Sequence, residues 1–305
     1  MARTDNLTNF LTDVADAIRT KGGTSEGIKA SEFDTAISNL PSGGGGSSDF
    51  EEEYKTWIES NKTPTSSVPP LPSNITKIGD YAFYELKNLS WTSLPNGITY
   101  IGKYAFSDCT NLQLTSLPSG ITSINEGTFM YCYGLKFTSL PDDITKIDKY
   151  GFRGCYNLAL TSLPSGITEI GIQSFQQCNK LALTSLPNGI TIIKNSAFEN
   201  CYNLALTSLP DGITEIENYA FRGDTGLTNL IMPSSLKTIG SYVFNGCKNL
   251  AELDFSNVMQ VPTISDIHAL GNTSENLVIK VPSSLYADWI VATNWSTYAD
   301  KIVAV

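Results

Sequence analysis

Proline recurs in this chain at a fixed step of 23 residues, and phenylalanine keeps the same step over eight copies. A fixed period of this length is the signature of a solenoid, in which each copy contacts mainly its neighbours. The prolines are Pro72, Pro95, Pro118, Pro141, Pro164, Pro187, Pro210 and Pro233, and the phenylalanines are Phe83, Phe106, Phe129, Phe152, Phe175, Phe198, Phe221 and Phe244. The chain is therefore predicted to build a long, rigid surface.

The composition limits the partners that such a surface can have. Hydrophobic residues make up 41% of the 305 residues, charged residues only 16%, and the net charge is -10. The surface must therefore be rich in Ser, Thr, Asn and Gly, which suits contact with sugars or protein. The acidic balance argues against nucleic acid or an anionic membrane as the main partner. The sequence contains no apolar run of 18 residues, so no membrane-spanning segment is predicted. The N-terminus has no secretion-signal pattern, so we expect synthesis in the cytoplasm.

One copy serves as a template for the local structure: residues 162–184, SLPSGITEIGIQSFQQCNKLALT. Leu-Pro-Ser-Gly predicts a tight turn, because Pro presets its backbone angle and Gly closes the corner. The two isoleucines that follow indicate a short strand or extended edge. The segment from Phe175 to Leu181 is typical of a helical or 3₁₀ turn. The Asn-Leu-x-Leu-Thr-Ser-Leu segment then predicts the strand that stacks on the next copy, about 4.7–4.9 Å away.

An asparagine precedes the leucine of that segment in five copies, and we expect it to be buried and to satisfy backbone groups at the bend. A single 23-residue copy buries too little apolar surface to stand alone, so the array should need a cap at each end. The asparagines are Asn88, Asn111, Asn157, Asn203 and Asn249.

These positions resemble the BspA-like leucine-rich repeats, whose motif runs Leu-Pro-x-x-Ile-x-x-Ile-x-x-x-Ala-Phe-x-x-Cys-x-x-Leu. The resemblance covers residues 71–255 and implies an α/β solenoid, a right-handed coil of eight 23-residue repeats with parallel β-strands. Members of that family occur as surface adhesins and in bacteriophage or prophage proteins. The chain departs from the family pattern in one respect. The usual Leu-x-x-Leu-x-Ile-Pro strand appears only as Leu227 to Pro233, so strand register in the central copies is left open.

The regions outside the array suggest an anchor, a linker and two caps. Residues 1–40 predict a small helical hairpin that docks on a partner or forms a homo-oligomer, and residues 41–48 read as a Gly/Ser linker. Residues 49–70 predict a helical N-terminal cap, and residues 256–305 predict a C-terminal cap. The hairpin resembles N-terminal segments of bacteriophage structural proteins, which implies attachment to a virion protein and a location on the virion. Trp289 and Trp295 could form a sugar platform, but a hydrophobic end-cap fits the pattern better.

Reaction chemistry is not visible in the sequence. His268 is the one histidine, so a catalytic triad or a His-rich metal site is excluded, and we expect no enzyme, metal or cofactor. Six cysteines share one repeat position that Leu86 fills in the first copy, which favours buried thiols over disulfides or a metal site. The seventh copy has Asp224 there and so reads Arg222-Gly223-Asp224. This tripeptide is an integrin-binding signal elsewhere, but the repeat template explains it too; Asp224 is predicted to turn outward.

Two stripes are candidate contact surfaces. Tyrosine supplies large contact area at low entropic cost, although the rings could instead pack on one another as a ladder. A row of threonines, each followed by serine, could bind a ligand or simply be strand-favouring surface. The first stripe comprises Tyr84, Met130, Tyr131, Tyr133, Tyr156 and Tyr202, and the second Thr115, Thr138, Thr161, Thr184 and Thr207.

The layout favours a non-enzymatic recognition or adhesion protein. It would be attached to a bacteriophage tail or other virion part through residues 1–40 and would present the array to a host-surface protein or glycan. Two alternatives stay open at this point: a structural decoration or assembly protein of the virion, and an intracellular inhibitor that binds a host factor.

Overall fold

The computed structural model describes Leu71, Ser73 and residues 75–305. The predicted hairpin, linker and N-terminal cap, residues 1–70, lie outside the described residues. In the described part the chain forms a parallel β-solenoid of about 10 turns with a spacing near 23 residues. The predicted solenoid fold is confirmed.

Short strands mark each turn of the coil. In chain order they are β1 (Lys77–Ile78), β2 (Tyr100–Ile101), β3 (Ser123–Ile124), β4 (Lys146–Ile147), β5 (Glu169–Ile170), β6 (Ile192–Ile193), β7 (Glu215–Ile216), β8 (Asn229–Ile231), β9 (Thr238–Ile239), β10 (Glu252–Asp254), β11 (Thr263–Ile264), β12 (Val278–Val281) and β13 (Ile302–Ala304). A four-residue helix, α1 (Tyr286–Trp289), lies between the 3₁₀ segments Ser283–Leu285 and Trp295–Lys301.

The isoleucine segments form the first side of the coil. Their strands pair in parallel as β1-β2, β3-β4-β5 and β6-β7-β9-β11, and isoleucine faces isoleucine at every step, as in Ile147 against Ile170. Each of these isoleucines is buried while the residue before it lies at the surface. The β-branched side chain suits this half-buried pleat. The predicted extended isoleucine edge is therefore confirmed, and β11 carries the coil past residue 255.

The leucine segment forms a second side, and here the expected strand is found in only part of the coil. A regular sheet, β8-β10-β12-β13, covers the C-terminal turns. In the central turns single amides bond across instead, as Ala182 N–H does to Leu160 O at 3.0 Å. The prediction of a strand in every copy is wrong for a geometric reason: Thr184 and Ser185 both face solvent between buried leucines, which breaks the alternation of a strand.

The segment around each phenylalanine forms a corner of overlapping turns rather than a helix. Arg153 N–H bonds to Tyr150 O and Cys155 N–H to Phe152 O, at 3.1 and 3.0 Å. The intervening amides point to the next turn, since Phe152 N–H bonds to Ser174 O at 2.8 Å. Two left-handed residues in each copy permit this alternation, for example Tyr150 at φ 61° and Gly154 at φ 73°.

The core consists of side chains repeated from turn to turn. The eight phenylalanines are buried and stack nearly parallel, with ring centroids 5.6 Å apart in the middle of the array. At the C-terminal end Trp289 and Trp295 are buried, with centroids 4.5 Å apart, and both pack on Phe255. The tryptophans therefore close the core and do not form an exposed sugar platform.

The phenylalanine stack should dominate stability. Phe152 is fully buried between Phe129 and Phe175, so Phe152→Ala is expected to lower the free energy of unfolding by about 3–5 kcal/mol. Ile172 is 41% exposed, and Ile172→Ala should change it by less than about 0.5 kcal/mol. Urea unfolding followed by circular dichroism measures both variants, and equal losses would contradict this account of the core.

Candidate functional site

The six cysteines form an internal ladder with no reactive thiol at the surface. All six are free and buried, and each thiol donates to the carbonyl of the phenylalanine 26 residues earlier, at 2.9–3.1 Å. Burial raises the pKa of the thiols above the ordinary value. The prediction of buried thiols is confirmed. Within the described residues no group of three or more His, Cys, Asp or Glu side chains is arranged to hold a metal ion.

Asp224, which occupies the cysteine position of its turn, is not directed outward. Its side chain is fully buried, and Oδ1 accepts the amide of Cys201 at 2.6 Å. The outward orientation predicted from the sequence is therefore wrong, because the repeat geometry aims this position at the core whatever residue fills it. The Arg222-Gly223-Asp224 tripeptide cannot present its carboxylate to a receptor, since that carboxylate is inside the coil.

The asparagine row has the predicted partners but not the predicted burial. Asn111, Asn157 and Asn249 donate from Nδ2 to carbonyls of the preceding turn at 2.7–2.8 Å. All five asparagines of the row lie at least partly at the surface. Their amides therefore satisfy backbone carbonyls at the outer edge of the bend.

Three of the predicted tyrosines come together on the outside of the coil. Tyr133 and Tyr156 stack at 4.8 Å with an interplanar angle of 8°, and Tyr131 meets Tyr133 edge-on at 6.3 Å. Burial and the neighbouring ring of Tyr156 raise the pKa of Tyr133. The ladder alternative is thus correct for this pair, yet Tyr133 is still 36% exposed. The rings offer edges and hydroxyl groups to a partner.

The other predicted members of the stripe lie apart from this group. Tyr84 packs edge-on against Tyr81 at 5.8 Å, and burial together with the hydrogen bond to Glu85 raises the pKa of Tyr84 to about 12. Tyr202 is 46% exposed and lies two turns beyond Tyr156. Met130 is half-buried next to Tyr131 in the chain. The stripe is therefore a cluster with separate outlying members.

Arg153 completes the cluster and was missed in the sequence. Its guanidinium lies 5.7 Å from the ring centroids of both Tyr131 and Tyr150. Nη1 donates to Gln173 Oε1 at 3.3 Å, Nε is buried with no partner, and no carboxylate of the described chain pairs with it. We call Tyr131, Tyr133, Tyr150, Arg153 and Tyr156 the tyrosine–arginine patch.

Arg222 occupies the same repeat position three copies later, and there the charge of the arginine is paired with a carboxylate. It covers Tyr219 at 5.6 Å, and its Nη1 pairs with Glu199 Oε1 at 3.2 Å. The residue at this repeat position one turn before Arg153 is Met130, where Arg222 has Glu199, and one turn after Arg153 it is Gln176. Neither neighbour supplies a carboxylate, so within the described residues the charge of Arg153 is not paired. The signal in the sequence is the difference between the two arginines: only Arg222 has a carboxylate at the same repeat position of the preceding turn.

A second tyrosine row was also missed. It occupies the first left-handed position of five corners, and within it Tyr81 stacks on Tyr104 at 5.1 Å and Tyr219 on Tyr242 at 5.3 Å. His268 extends this row by stacking on Tyr242 at 5.2 Å. The 23-residue spacing of these tyrosines is visible in the sequence, but a left-handed backbone at tyrosine is uncommon and was not anticipated.

The predicted threonine stripe is present as an exposed, uncharged surface. Thr115, Thr138, Thr161, Thr184 and Thr207 are all exposed, and so are the serines that follow them. Thr115 Oγ1 lies at 3.5 Å from Thr92 O, the carbonyl of the preceding turn.

Glu126 is the centre of an ion-pair group on the isoleucine side. Its carboxylate accepts from Tyr104 Oη at 2.8 Å and pairs with Lys149 at 2.9 Å and Lys103 at 3.6 Å. Burial alone would raise the pKa of Glu126, but the hydrogen bonds from Lys149 and Tyr104 and the two lysine charges together lower it. The group ties three consecutive turns together.

Glu126→Gln should therefore lower the free energy of unfolding by about 0.5–1 kcal/mol at neutral pH. Because the folded pKa is lowered, the stabilisation is present above the ordinary unfolded value of about 4.3 and is lost as the pH falls through the folded pKa. Glu169, 47% exposed and 3.4 Å from Lys146, provides the control variant Glu169→Gln, with a smaller effect. Denaturation at a series of pH values tests this, and a difference that persists in acid would refute it.

The fold defines a class of protein, a solenoid built from leucine-rich repeats. The chain belongs to the BspA-type leucine-rich repeat family: the family model described as BspA type Leucine rich repeat region (6 copies) matches residues 65–182 and 168–285. Repeats of this family are typically surfaces for recognition or adhesion, and the fold is an interaction scaffold that is not typically enzymatic.

The chain is also similar to several solved structures. A leucine-rich repeat protein from Bacteroides ovatus is 25% identical with a TM-score of 0.55; the match covers 70% of this chain and 62% of that protein. A leucine-rich cell surface protein from Faecalibacterium prausnitzii is 26% identical, covering 72% and 73%, with a TM-score of 0.43. The T. pallidum leucine-rich repeat protein is 27% identical, covering 60% and 76%, with a TM-score of 0.42. No curated protein matches the chain.

Over the part of the chain that the structure describes, no helix combines the length and the apolar character needed to cross a bilayer.

Proposed function

We propose that this protein is a non-enzymatic recognition or adhesion protein that binds a protein at a host surface through the tyrosine–arginine patch. The observation that carries the proposal is Arg153, which has no carboxylate partner among the described residues and lies between Tyr131 and Tyr150 beside the exposed Tyr133. The membership of a family whose repeats typically serve recognition supports the same function.

The composition of the patch fits the centre of a protein interface. Tyrosine and arginine are enriched among the residues that dominate binding energy at such interfaces. The rings are held by stacking and by the rigid corner segments, so little side-chain entropy is lost when they are covered. A cation that already lacks a carboxylate partner gains an ion pair on binding an acidic side chain, without first losing one.

A glycan is the less favoured ligand for this patch. Sugars bind aromatic side chains chiefly on ring faces, and stacking at 4.8 Å covers one face each of Tyr133 and Tyr156. The phenol hydroxyls and the Arg153 guanidinium add polar groups beside the rings. These groups suit the mixed polar and apolar surface of a protein better than the face of a pyranose.

The finer form of the proposal concerns the anchor. Residues 1–40, which lie outside the described residues, would attach the coil to a bacteriophage tail or another virion protein, and residues 41–48 would act as a hinge. The support is the local sequence resemblance and the Gly/Ser composition of the linker. Purified particles that contain the chain, and lose it when residues 1–40 are deleted, would support the anchor; particles that never contain it would refute it.

The patch itself is tested with matched arginine variants of the full chain. Arg153→Ala should weaken binding to intact bacterial cells at least about tenfold, because it removes a central contact. Arg222→Ala should leave binding within about twofold, since that arginine is already paired with Glu199. Flow cytometry with labelled protein over a panel of bacterial strains measures both. Equal effects of the two substitutions would exclude the patch as the binding site.

The same cells also serve to distinguish a protein ligand from a glycan. Binding that is lost after protease treatment of the cells and survives periodate oxidation indicates a protein ligand, and the reverse result would overturn the choice of protein. Thr184→Arg places a bulky charge on the threonine stripe and should not affect binding. If Thr184→Arg alone abolishes binding, the stripe and not the patch is the contact surface.

A further inference from the structure

Asp224 interrupts an otherwise uniform ladder inside the coil. In six turns a buried thiol donates to the carbonyl of the phenylalanine 26 residues earlier, and the series omits only the carbonyl of Phe198 among Phe129 to Phe221. Residue 224 lies 26 residues after Phe198, so it occupies the position from which a thiol would donate to the Phe198 carbonyl. An ionised carboxylate has no proton to donate, whereas a protonated carboxyl has one. Only the neutral acid can therefore take the place of the thiol.

The hydrogen bonding of Asp224 leaves room for that proton. Oδ1 accepts from the amide of Cys201 at 2.6 Å, while Oδ2 is buried and has no partner. A buried carboxylate oxygen without a partner is costly when charged. A proton on Oδ2 removes the charge and supplies the donor that the ladder lacks at this turn.

The groups that face Asp224 do not compensate a negative charge. Cys201 of the preceding turn and Cys247 of the following turn are thiols, and Glu199 adds a negative charge nearby. Arg222, on the turn of Asp224 itself, is paired with Glu199. Burial, with a further contribution from Glu199, holds the pKa of Asp224 well above its ordinary value.

One backbone hydrogen bond of the same turn is longer than its equivalents in other turns. The bond from Leu227 N–H to Asp224 O is 3.4 Å long, whereas the equivalent bonds of the cysteine-containing turns are 2.9–3.2 Å. The outward-facing pattern also changes here. Leu206 is buried, whereas Asn229, at the same repeat position of the next turn, is exposed. Conversely, Thr207 is exposed and Leu230, its equivalent in the next turn, is buried. The buried position of this segment therefore shifts by one residue between these two turns.

We propose that Asp224 is a neutral carboxylic acid that replaces a thiol in the ladder, and that its ionisation opens the coil locally between the turns of Phe198 and Phe221. The joint is closed in acid and weakens as the pH rises. This inference is independent of the proposed binding function, because it concerns the interior of turns other than those of the tyrosine–arginine patch.

The direction of the pH effect follows from proton linkage. Below the unfolded value of about 3.9 the carboxyl is protonated in both states, and its native contacts contribute fully. Between that value and the higher folded pKa, the closed state binds more protons than the open state, so closure weakens with rising pH by about tenfold in the equilibrium constant per pH unit.

Thiol labelling of the full chain tests the joint with an internal reference. Brief alkylation at several pH values, followed by digestion and mass spectrometry, gives the ratio of labelling at Cys201 to that at Cys155. Both thiols are fully buried in equivalent positions, so the ordinary pH dependence of thiol reactivity cancels in the ratio. The ratio should rise with pH in the native chain by up to about tenfold per unit.

Asp224→Asn is the matched variant, because the amide keeps the shape and always carries a donor. Its labelling ratio should be independent of pH. A flat ratio in the native chain, or an equal rise in Asp224→Asn, would overturn the proposal. If Asp224→Asn does not fold, Asp224→Cys restores the ladder. Its unfolding equilibrium constant should fall below that of the native chain by a larger factor at pH 8 than at pH 5, and a factor independent of pH would equally refute the ionisation.

Discussion

The hydrogen bonds from one corner to the next are the constraint on which the whole coil depends. At each corner alternate amides close turns within the copy, while the others bond forward, as Phe152 does to Ser174 and Gly154 to Gln176. Such a pattern satisfies every amide of the corner only if the next turn has the same length. The unbroken 23-residue period is the consequence, and stacked phenylalanines and thiols follow because identical positions must lie one above another.

Much of this could be predicted from the sequence because period and polarity encode it directly. A residue repeated at one position in eight copies must meet itself across the stack, which gave the buried phenylalanines and cysteines. The isoleucine strands followed from β-branched residues after a Pro-containing turn. In the candidate site, the same argument found Tyr133 and Tyr156, since a shared repeat position places their rings in contact.

The remaining features depend on backbone conformation and on pairs of positions, which a single repeat position does not reveal. A left-handed backbone at Tyr150 costs energy because the residue is not glycine, and the hydrogen bonds to the next turn offset that cost. The strand expected in every copy failed because Thr184 and Ser185 are consecutive outward residues. Asp224 was expected at the surface on polarity alone, although the corner geometry aims its side chain inward.

Uniformity also limits where specificity can reside. Positions that are the same in every turn stabilise the stack and present the same groups along its whole length, so they cannot mark one place on the coil. Only departures from the repeat can do so. Arg222 departs from the template but is neutralised by Glu199, which returns the surface to an uncharged state. Arg153 departs without such a partner in the part of the chain that the structure describes, and it lies between two tyrosine rings. Under the proposed function, the free energy of an additional ion pair is therefore still available there to the bound protein.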